Sequence, residues 1–371
     1  MKTVRACARI DVRALRHNYR TLLSHLRRTT PNAVLWSVVK ANAYGHGLVG
    51  VANALEEAGA RHFAVATAEE ALCLRREMPE AEVLCLGITS PDLAGDLAEA
   101  GILQTVPTLS YARALAAAIG KASLRVAVKL DVGMHRLGLS TGCAEDAVEQ
   151  TLAVSSLEGL EVCHVFSHLS EADDPNSTKT PEQIARFSDI VSRLRGRGLR
   201  FHSHLCNTAG ALRFGTAGQD GARIGLGLYG YAPSPSVSAP TLRPALRLTC
   251  PLVAVYPVRE GESVGYGGGW VAPCDTAVGV LPFGYRDGLL RALEGGKVSL
   301  YGHAVPLVGR ISMDYATVLV GDLPAEAGDT VTLYDDRGKL LPALAAHAHT
   351  IPYELLSLLS PSPDRLTRLY K

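Results

Sequence analysis

The sequence predicts an α/β fold in which an N-terminal (β/α)8 barrel of the TIM type is followed by a C-terminal domain that is mainly β. The first observation is that eight short apolar runs alternate with helical patterns over residues 33–229. Continuous apolar runs are typical of parallel strands that are covered on both faces. The second observation is a change after residue 240 to β-branched runs separated by Gly, Pro and Asp, which indicates a largely antiparallel domain. We therefore expect the barrel over 12–240 and the β domain over 241–371.

The predicted barrel elements follow one another in a regular order. The strand-like runs are AVLWSVVK (33–40), HFAVA (62–66), EVLCLG (82–87), LQTVP (103–107), RVAVKLD (125–131), EVCHVFSH (161–168), FHSHLC (201–206) and RIGLGLY (223–229). Between them lie helix-like stretches such as 47–60 and 109–120, whose apolar residues recur at a period near 3.6. Eight parallel strands joined by right-handed crossovers close into a barrel. The seventh crossover, 207–215, is short, so we expect one reduced helix there.

A linker is predicted at 232–240, where APSPSVSAP contains three prolines and three serines. The strand-like runs beyond it lie at 247–258, 276–283, 304–311, 315–321 and 329–334. The opening segment, 1–11, also predicts a strand, but its pattern alone does not assign it to either domain.

The composition excludes several functional classes. The formal net charge is +1, so no general electrostatic attraction favours nucleic acid or an anionic membrane as a partner. No window approaches the ~18 consecutive apolar residues that span a membrane, and the first residues lack the apolar core of a secretory signal. Eight scattered cysteines without a Cys-x-x-Cys pair indicate reduced thiols rather than disulfides or a zinc site. We expect a cytoplasmic protein without a metal.

Polar side chains end several predicted strands, at the position where barrels of this type collect their functional groups. They are Lys40, Lys129, Asp131, His168 and Asn207, and Arg223 opens the eighth run. Taken singly, a lysine at such a position is usually a solvated rim residue, and a histidine is usually a packing residue. Several of them at one barrel mouth favour a functional site.

Lys40 is the most informative of these residues because it precedes ANAYGHG, whose small residues and glycines let a ligand or backbone approach closely. A lysine that is desolvated or lies beside another cation loses its charge and becomes a nucleophile for an aldehyde. The loops at 207–210 and 224–227, after strands seven and eight, are rich in backbone donors and occupy a frequent phosphate site of this fold. An aldehyde-capturing lysine opposite a phosphate site suggests pyridoxal phosphate. The alternative is a surface ammonium group before a Gly-rich turn.

The segment VVKANAYGHG (38–47) resembles the cofactor-lysine motif of alanine racemases. Further ordered matches to that family are KLDVGMHRLG (129–138), SHLSEAD (167–173), LCNTAG (205–210), RIGLGLYG (223–230), VGYGGGW (264–270), LPFGYRDG (281–288), VGRISMDY (308–315) and TIPYELL (350–356). The resemblance implies an α/β barrel followed by a β domain, in agreement with the strand count. It also implies a pyridoxal phosphate-dependent isomerase that interconverts L- and D-alanine and supplies D-alanine for peptidoglycan.

The resemblance implies roles for individual residues around the cofactor. Lys40 binds the cofactor aldehyde covalently, and Arg223 faces the pyridine nitrogen and is hydrogen-bonded by His168. Many enzymes with this cofactor place a carboxylate there. A guanidinium, which stays protonated, favours an unprotonated ring nitrogen and so suppresses transamination. The other implied contacts are the phosphate ligands Tyr44, Thr208, Tyr353 and the backbone of Gly225 and Leu226, with Leu86 and Asn207 lining the cofactor environment.

The resemblance also implies how the substrate is bound and how its proton moves. Lys40 and Tyr266 are the two catalytic bases, one on each face of the α-carbon. Tyr266 comes from the other subunit of a head-to-tail homodimer with shared active sites. Arg136 and the backbone N–H of Met313 bind the carboxylate of alanine.

Lys129 is a candidate for carbamylation, because the lysine of this motif is often modified by carbon dioxide in the family. The modification turns a cation into an anion that holds Arg136 through charge-assisted hydrogen bonds. The alternative is an unmodified lysine paired with Asp131, since both side chains lie on one face of the strand. Two departures from the family are Thr208, where Ser is more frequent, and Ser312, where Cys is common. Neither departure removes a base.

Three other functions compete with this interpretation. A racemase of broader specificity, acting on serine, lysine or arginine, shares most of the motifs. A basic amino-acid decarboxylase of similar plan requires an acidic partner at the pyridine nitrogen, whereas Arg223 stands at that position. A non-enzymatic pyridoxal phosphate carrier has a single barrel, and the β domain with its Tyr266 motif argues against it.

Overall fold

The computed structural model describes residues 5–371, so the first four residues of the predicted 1–11 strand lie outside the described residues. The chain folds into two compact units. One comprises Arg16–Ala41 and Ala52–Leu242 and is called the barrel unit below. The other comprises the described residues up to Leu15, Asn42–Val51 and Arg243–Lys371, and is called the β unit.

The strands in chain order are β1 (Ala6–Ile10), β2 (Val34–Val38), β3 (His62–Val65), β4 (Glu82–Cys85), β5 (Leu103–Val106), β6 (Leu124–Asp131), β7 (Leu139–Ser140), β8 (Leu160–Phe166), β9 (His202–His204), β10 (Gly221–Ile224), β11 (Leu246–Pro251), β12 (Ala254–Val258), β13 (Ser263–Val264), β14 (Trp270–Val271), β15 (Thr276–Leu281), β16 (Lys297–Leu300), β17 (His303–Pro306), β18 (Ala316–Leu319), β19 (Thr330–Tyr334) and β20 (Leu366–Tyr370). The α-helices are α1 (Val12–Arg27), α2 (Lys40–Tyr44), α3 (Leu48–Glu56), α4 (Ala68–Glu77), α5 (Ala94–Glu99), α6 (Leu109–Ala118), α7 (Ala144–Ser155), α8 (Lys179–Gly196), α9 (Thr208–Phe214), α10 (Leu340–His347) and α11 (Pro352–Ser357).

The predicted parallel barrel is confirmed. Its strand order is β5-β4-β3-β2-β10-β9-β8-β6, and pairing of β5 with β6 closes the ring. Every one of these pairings is parallel. The strands are buried over most of their length, which explains why they are apolar runs without alternation. The short β7 adds to the carboxyl end of β6, where Leu139 pairs with Leu130.

Two of the crossover helices, α4 and α6, begin at threonines whose side chains cap them. Thr67 and Thr108 accept hydrogen bonds from the backbone N–H groups of Glu70 (3.3 Å) and Tyr111 (3.1 Å), which satisfies donors that have no partner within the helix. Such a cap stabilises a helix by about 1 kcal/mol. The reduced seventh crossover is also found, because α9 has only 7 residues.

The β unit is mainly β, as predicted. Its largest sheet has the order β17-β16-β19-β11-β1-β20, beside a three-stranded sheet β12-β15-β18 and the pair β13-β14. The structure also assigns the opening strand, because β1 pairs antiparallel with β11 and parallel with β20. The strand patterns did not predict α10 and α11, which lie in this unit. Among residues 5–371, no helix is both long and apolar enough to cross a membrane.

Candidate active site

The carboxyl ends of the barrel strands bring the predicted polar residues to one mouth. Lys40 follows β2, Lys129 and Asp131 lie at the end of β6, and Arg223 lies in β10. His168 follows β8 by two residues and Asn207 follows β9 by three. The positive charges of Arg223 and of Arg136, which lies in the loop after β6, lower the pKa values of both Lys40 and Lys129. The barrel closure thus gathers four cations from segments far apart in the chain.

Lys40 is half-buried and is the first residue of α2, which is a short left-handed helical turn. The four residues after it, 41–44, have φ between 50° and 53°, although none is glycine. This left-handed conformation costs about 1–2 kcal/mol per residue and persists where the surrounding structure imposes it. Burial lowers the pKa of Lys40, and the charge of Arg136 lowers it further, while Glu70 acts in the opposite direction. A larger fraction of the Lys40 amine is therefore neutral and nucleophilic at neutral pH.

Arg223 is only 4% exposed and is surrounded by neutral acceptors. Its Nη1 lies 2.6 Å from His204 Nδ1, and its Nη2 lies 3.2 Å from His168 Nδ1. The carbonyl oxygens of Ser167 and Leu205 also accept from Nη2. Within the part of the chain that the structure describes, no carboxylate forms an ion pair with this guanidinium.

The charge states around Arg223 follow from that environment. Burial lowers the pKa of Arg223 to about 10, so the guanidinium stays protonated at neutral pH. Burial and the Arg223 charge bring the pKa values of His168 and His204 well below their usual range, so both imidazoles are neutral. The arrangement presents a buried cation without an acidic partner at the barrel mouth.

Lys129 is 7% exposed, and its Nζ lies 5.8 Å from the centre of the Phe166 ring. Burial, followed by the charges of Arg136 and Arg223, lowers the pKa of Lys129 to about 8. No ion pair joins Lys129 to Asp131 among residues 5–371. The lysine is therefore a buried amine of which an appreciable fraction is neutral at physiological pH.

Asp131 instead holds the loop that carries Arg136. Its Oδ1 accepts from the backbone N–H groups of Gly133 (2.9 Å), Met134 (2.9 Å) and His135 (3.0 Å), and its Oδ2 accepts from that of Arg136 (3.1 Å). Burial raises the pKa of Asp131, but these hydrogen bonds outweigh it and the pKa is lowered. The carboxylate is thus ionised and fixes the course of the loop.

The loops after β9 and β10 pack against each other through Thr208. Its Oγ1 accepts a hydrogen bond from the backbone N–H of Gly225 at 3.1 Å. A side chain at Gly227 would be crowded, because its Cβ would lie 3.0 Å from Thr208 Cγ2. Leu226 starts a short 3-10 turn at this corner, and the Asn207 side chain caps α9 by accepting from Gly210 N–H at 3.0 Å. Leu86 directly follows β4, and its N–H donates to the carbonyl oxygen of Val65.

The remaining predicted site residues belong to the β unit. The rings of Tyr44 and Tyr353 lie 6.1 Å apart, and burial followed by the Tyr353 charge raises the pKa of Tyr44. Tyr266 is 72% exposed in a 3-10 turn, and Met313 is also exposed. The preceding Gly265 has φ of 80°, and a Cβ there would lie 2.8 Å from the Arg310 backbone nitrogen, so glycine is required.

Sequence reasoning missed His204, the closest side chain to Arg223. A signal was present, because His202 and His204 lie two residues apart in this run, so both side chains belong to one face of the strand, either inside the barrel or outside it. Period-2 analysis of that run could have selected it.

The donor set fits a small ligand with negative charge and an aldehyde. The mouth offers Lys40 as a half-buried amine, Arg223 as a guanidinium with no carboxylate partner among residues 5–371, and small loops that bring backbone N–H groups close to Thr208. Each of these is a group that phosphate or a carbonyl compound requires.

Comparison with known proteins identifies the family. Residues 10–233 match the model of the alanine racemase N-terminal domain, and residues 245–370 match that of the C-terminal domain. An alanine racemase of Aeromonas hydrophila is 37% identical over 360 residues, covering 96% of this chain and 97% of the relative. The crystal structure of alanine racemase from D-cycloserine-producing Streptomyces lavendulae superposes with a TM-score of 0.90 at 32% identity, covering 100% of this chain and 98% of the other.

A crystal structure of alanine racemase from Bartonella henselae with covalently bound pyridoxal phosphate matches with a TM-score of 0.87 at 29% identity, and the match covers 100% of both chains. Both domain models are matched in order, and they span nearly the whole sequence. The chain therefore belongs to the alanine racemase family of pyridoxal phosphate-dependent enzymes.

Proposed function

We propose that this chain interconverts L- and D-alanine, with pyridoxal phosphate attached to Lys40 and with Lys40 and Tyr266 as the two bases. The observation that supports this most is the half-buried Lys40, with its lowered pKa, beside the carboxylate-free Arg223. When bound, the cofactor withdraws electrons from the α-carbon of the amino acid and so acidifies its C–H bond.

The cofactor phosphate is held by the Thr208 hydroxyl, the backbone N–H groups of Gly225 and Leu226, and the hydroxyls of Tyr44 and Tyr353. Leu86 and Asn207 line the cofactor, and His168 holds Arg223 towards the pyridine nitrogen. The hydrogen bond from the Gly225 N–H to Thr208 Oγ1 (3.1 Å) supports this set, because it places the Thr208 hydroxyl against the loop of Gly225 and Leu226 at one corner of the barrel unit.

Proton exchange uses one base on each face of the α-carbon. Lys40 Nζ accepts or returns the proton on one face, which its lowered pKa favours. Tyr266 Oη serves the other face from a second subunit of a homodimer. The 72% exposure of Tyr266 supports a partner surface outside its own chain. The β unit also exposes other large apolar side chains, including Tyr256, Tyr315 and Ile351, as a subunit interface requires.

The substrate carboxylate is bound by Arg136 and the backbone N–H of Met313. The four N–H contacts of Asp131 fix the loop of Arg136, which supports a defined position for its backbone. We place the reaction in the cytoplasm, because the eight free cysteines of the chain remain reduced there. The D-alanine that is formed enters peptidoglycan precursors.

The decisive assay is chiral analysis of alanine after incubation of the purified protein with pyridoxal phosphate. We expect each pure enantiomer to approach an equal mixture of both. Parallel incubations with serine, lysine and arginine test the broader racemase. Failure to form D-alanine from L-alanine, by protein with bound cofactor, refutes the proposal.

Arg223 is expected to protect the enzyme from transamination. Arg223→Glu places a carboxylate at the pyridine nitrogen, which favours protonation of that nitrogen. The protonated ring withdraws electrons more strongly, so protonation away from the α-carbon, which leads to transamination, becomes more frequent. We expect more pyruvate per racemisation event, measured with lactate dehydrogenase, and progressive loss of activity during turnover. Arg223→Lys, which keeps the positive charge, is the control. An unchanged pyruvate ratio in a cofactor-loaded Arg223→Glu enzyme contradicts this role.

Carbamylation of Lys129 is expected to increase as the pH rises through about 8. Carbon dioxide reacts only with the neutral amine, and the lowered pKa of about 8 sets the pH at which half of the amine is neutral. NMR with 13C-bicarbonate should show a carbamate signal that disappears in Lys129→Ala. That variant should also have a raised KM for alanine, partly rescued by small carboxylates, whereas Lys121→Ala at the surface should behave as wild type. An unchanged KM without a carbamate signal excludes the modification.

A further inference from the structure

A group of histidines inside the barrel has no part in the mechanism above. It consists of His62, His164, His202 and His204, and is called the histidine cluster below. These side chains line a cavity of about 40 Å³ together with Trp36 and Glu82. The residues come from β2, β3, β4, β8 and β9, so the cavity lies within the ring of the barrel unit.

The tautomer of His204 follows from its contact with Arg223. A guanidinium only donates hydrogen bonds, so His204 Nδ1, at 2.6 Å from Arg223 Nη1, is the acceptor. The ring is neutral, so its single proton lies on Nε2. His204 is 1% exposed, and its Nε2 has no hydrogen-bond partner among residues 5–371. An N–H donor is thus buried at the cavity without a protein acceptor.

The tautomer of His164 follows from Glu82 in the same way. Its Nε2 faces Glu82 Oε1 at 3.7 Å, and that oxygen accepts a hydrogen bond from Arg125 Nη2 at 2.5 Å. His62 Nε2 lies 3.4 Å from the other carboxylate oxygen, Oε2. Burial raises the pKa of Glu82, but the hydrogen bonds from His164 and Arg125 outweigh it and bring the pKa to about 2. The carboxylate is therefore ionised and favours a proton on His164 Nε2, and an imidazole with a single proton then presents Nδ1 as an acceptor.

The two rings leave complementary groups at one cavity. His164 is 3% exposed, and its Nδ1 has no hydrogen-bond partner in the described chain. The centroids of His164 and His204 are 5.5 Å apart. A water molecule needs about 10–15 Å³ of such space and two or more polar partners. The cavity of about 40 Å³ satisfies both conditions.

We propose that this cavity binds ordered water that accepts from His204 Nε2–H and donates to His164 Nδ1, and that Glu82 and His164 are thereby positioning residues for Arg223. The chain of hydrogen bonds runs from Arg125 and Glu82 through His164, water and His204 to the Arg223 guanidinium. Each link of this chain joins one donor to one acceptor, which favours a single orientation of each imidazole ring. The proposal rests on the proposed role of Arg223 at the pyridine nitrogen.

This chain of hydrogen bonds, called the relay below, explains how Arg223 is stabilised without a carboxylate in contact with it. The ionised Glu82 fixes the proton on His164 Nε2, which keeps His164 Nδ1 as an acceptor and His204 Nδ1 facing the guanidinium. If the His204 proton moved to Nδ1, two donors would face each other at 2.6 Å and Arg223 would have to turn away. Loss of the relay is therefore expected to loosen Arg223 and to increase transamination.

The first test is structural and does not depend on activity. A high-resolution crystal structure of the cofactor-loaded enzyme should show water within hydrogen-bonding distance of both His204 Nε2 and His164 Nδ1. NMR of 15N-histidine-labelled enzyme should place the His204 proton on Nε2. A dry cavity, or a proton on His204 Nδ1, overturns the proposal.

The second test uses the pyruvate formed per racemisation event. We expect His164→Phe to raise this ratio by up to about tenfold, the effect of losing one hydrogen bond from the network that holds Arg223. Glu82→Gln, which keeps the shape of the side chain, should raise it less. His202→Phe is the matched control, because His202 also lines the cavity but does not belong to the relay. An unchanged ratio in His164→Phe refutes the relay, whereas absence of D-alanine formation by the wild type refutes the proposed function instead.

Discussion

Replacement of Lys40 by alanine is expected to abolish racemisation and covalent retention of the cofactor together. A positioned general base alone contributes ~10²–10⁴-fold, and here the same amine also attaches the aldehyde, so the loss should exceed that range. Borohydride reduction of the wild type followed by peptide mass analysis should place the pyridoxyl group on Lys40. The physical reason is the partial burial and neighbouring Arg136 charge that lower the pKa of this amine.

Lys121→Ala serves as the control for the labelling experiment, because Lys121 is an exposed lysine outside the site. It should retain both activity and the label on Lys40. A pyridoxyl group on a different lysine of the wild type contradicts the assignment.

Tyr266→Phe is expected to slow both directions of the reaction by ~10²–10⁴-fold, because it removes the hydroxyl that acts as the second base and leaves the ring in place. Cofactor binding should be preserved, since Tyr266 is not among the residues proposed to hold it. Circular dichroism measures the rates from L- and D-alanine, and absorbance measures the bound cofactor. Tyr256→Phe is the matched control, because it is another exposed tyrosine of the β unit. Near-normal racemisation by Tyr266→Phe excludes this side chain as a base.

Mixing the two inactive variants tests whether the bases come from different subunits. In a heterodimer of Lys40→Ala and Tyr266→Phe chains, one site receives an intact Lys40 and an intact Tyr266, and the other receives neither. Activity should therefore reappear when the subunits exchange. The shared site is wrong if exchange is demonstrated by mass spectrometry and no activity returns.

Sequence patterns were sufficient for the architecture because they report on local burial. Strands buried on both faces must be apolar throughout, as in β5 and β10, so eight such runs could be counted without any knowledge of pairing. The short last crossover was visible in the same way, from the few residues between the seventh and eighth runs. The resemblance to alanine racemases then supplied the roles of Lys40, Arg223 and Tyr266, which periodicity cannot provide.

The sequence by itself thus determined the barrel, the β domain, the family and the lysine at the mouth. The tertiary structure alone decided that β1 belongs to the β sheet, since its pairing with β11 and β20 joins segments more than 200 residues apart. It also decided that Asp131 anchors the Arg136 loop rather than Lys129, and that His204 contacts Arg223. The physical reason is that hydrogen bonds depend on distance and direction in space. Barrel closure, which no local pattern encodes, sets both.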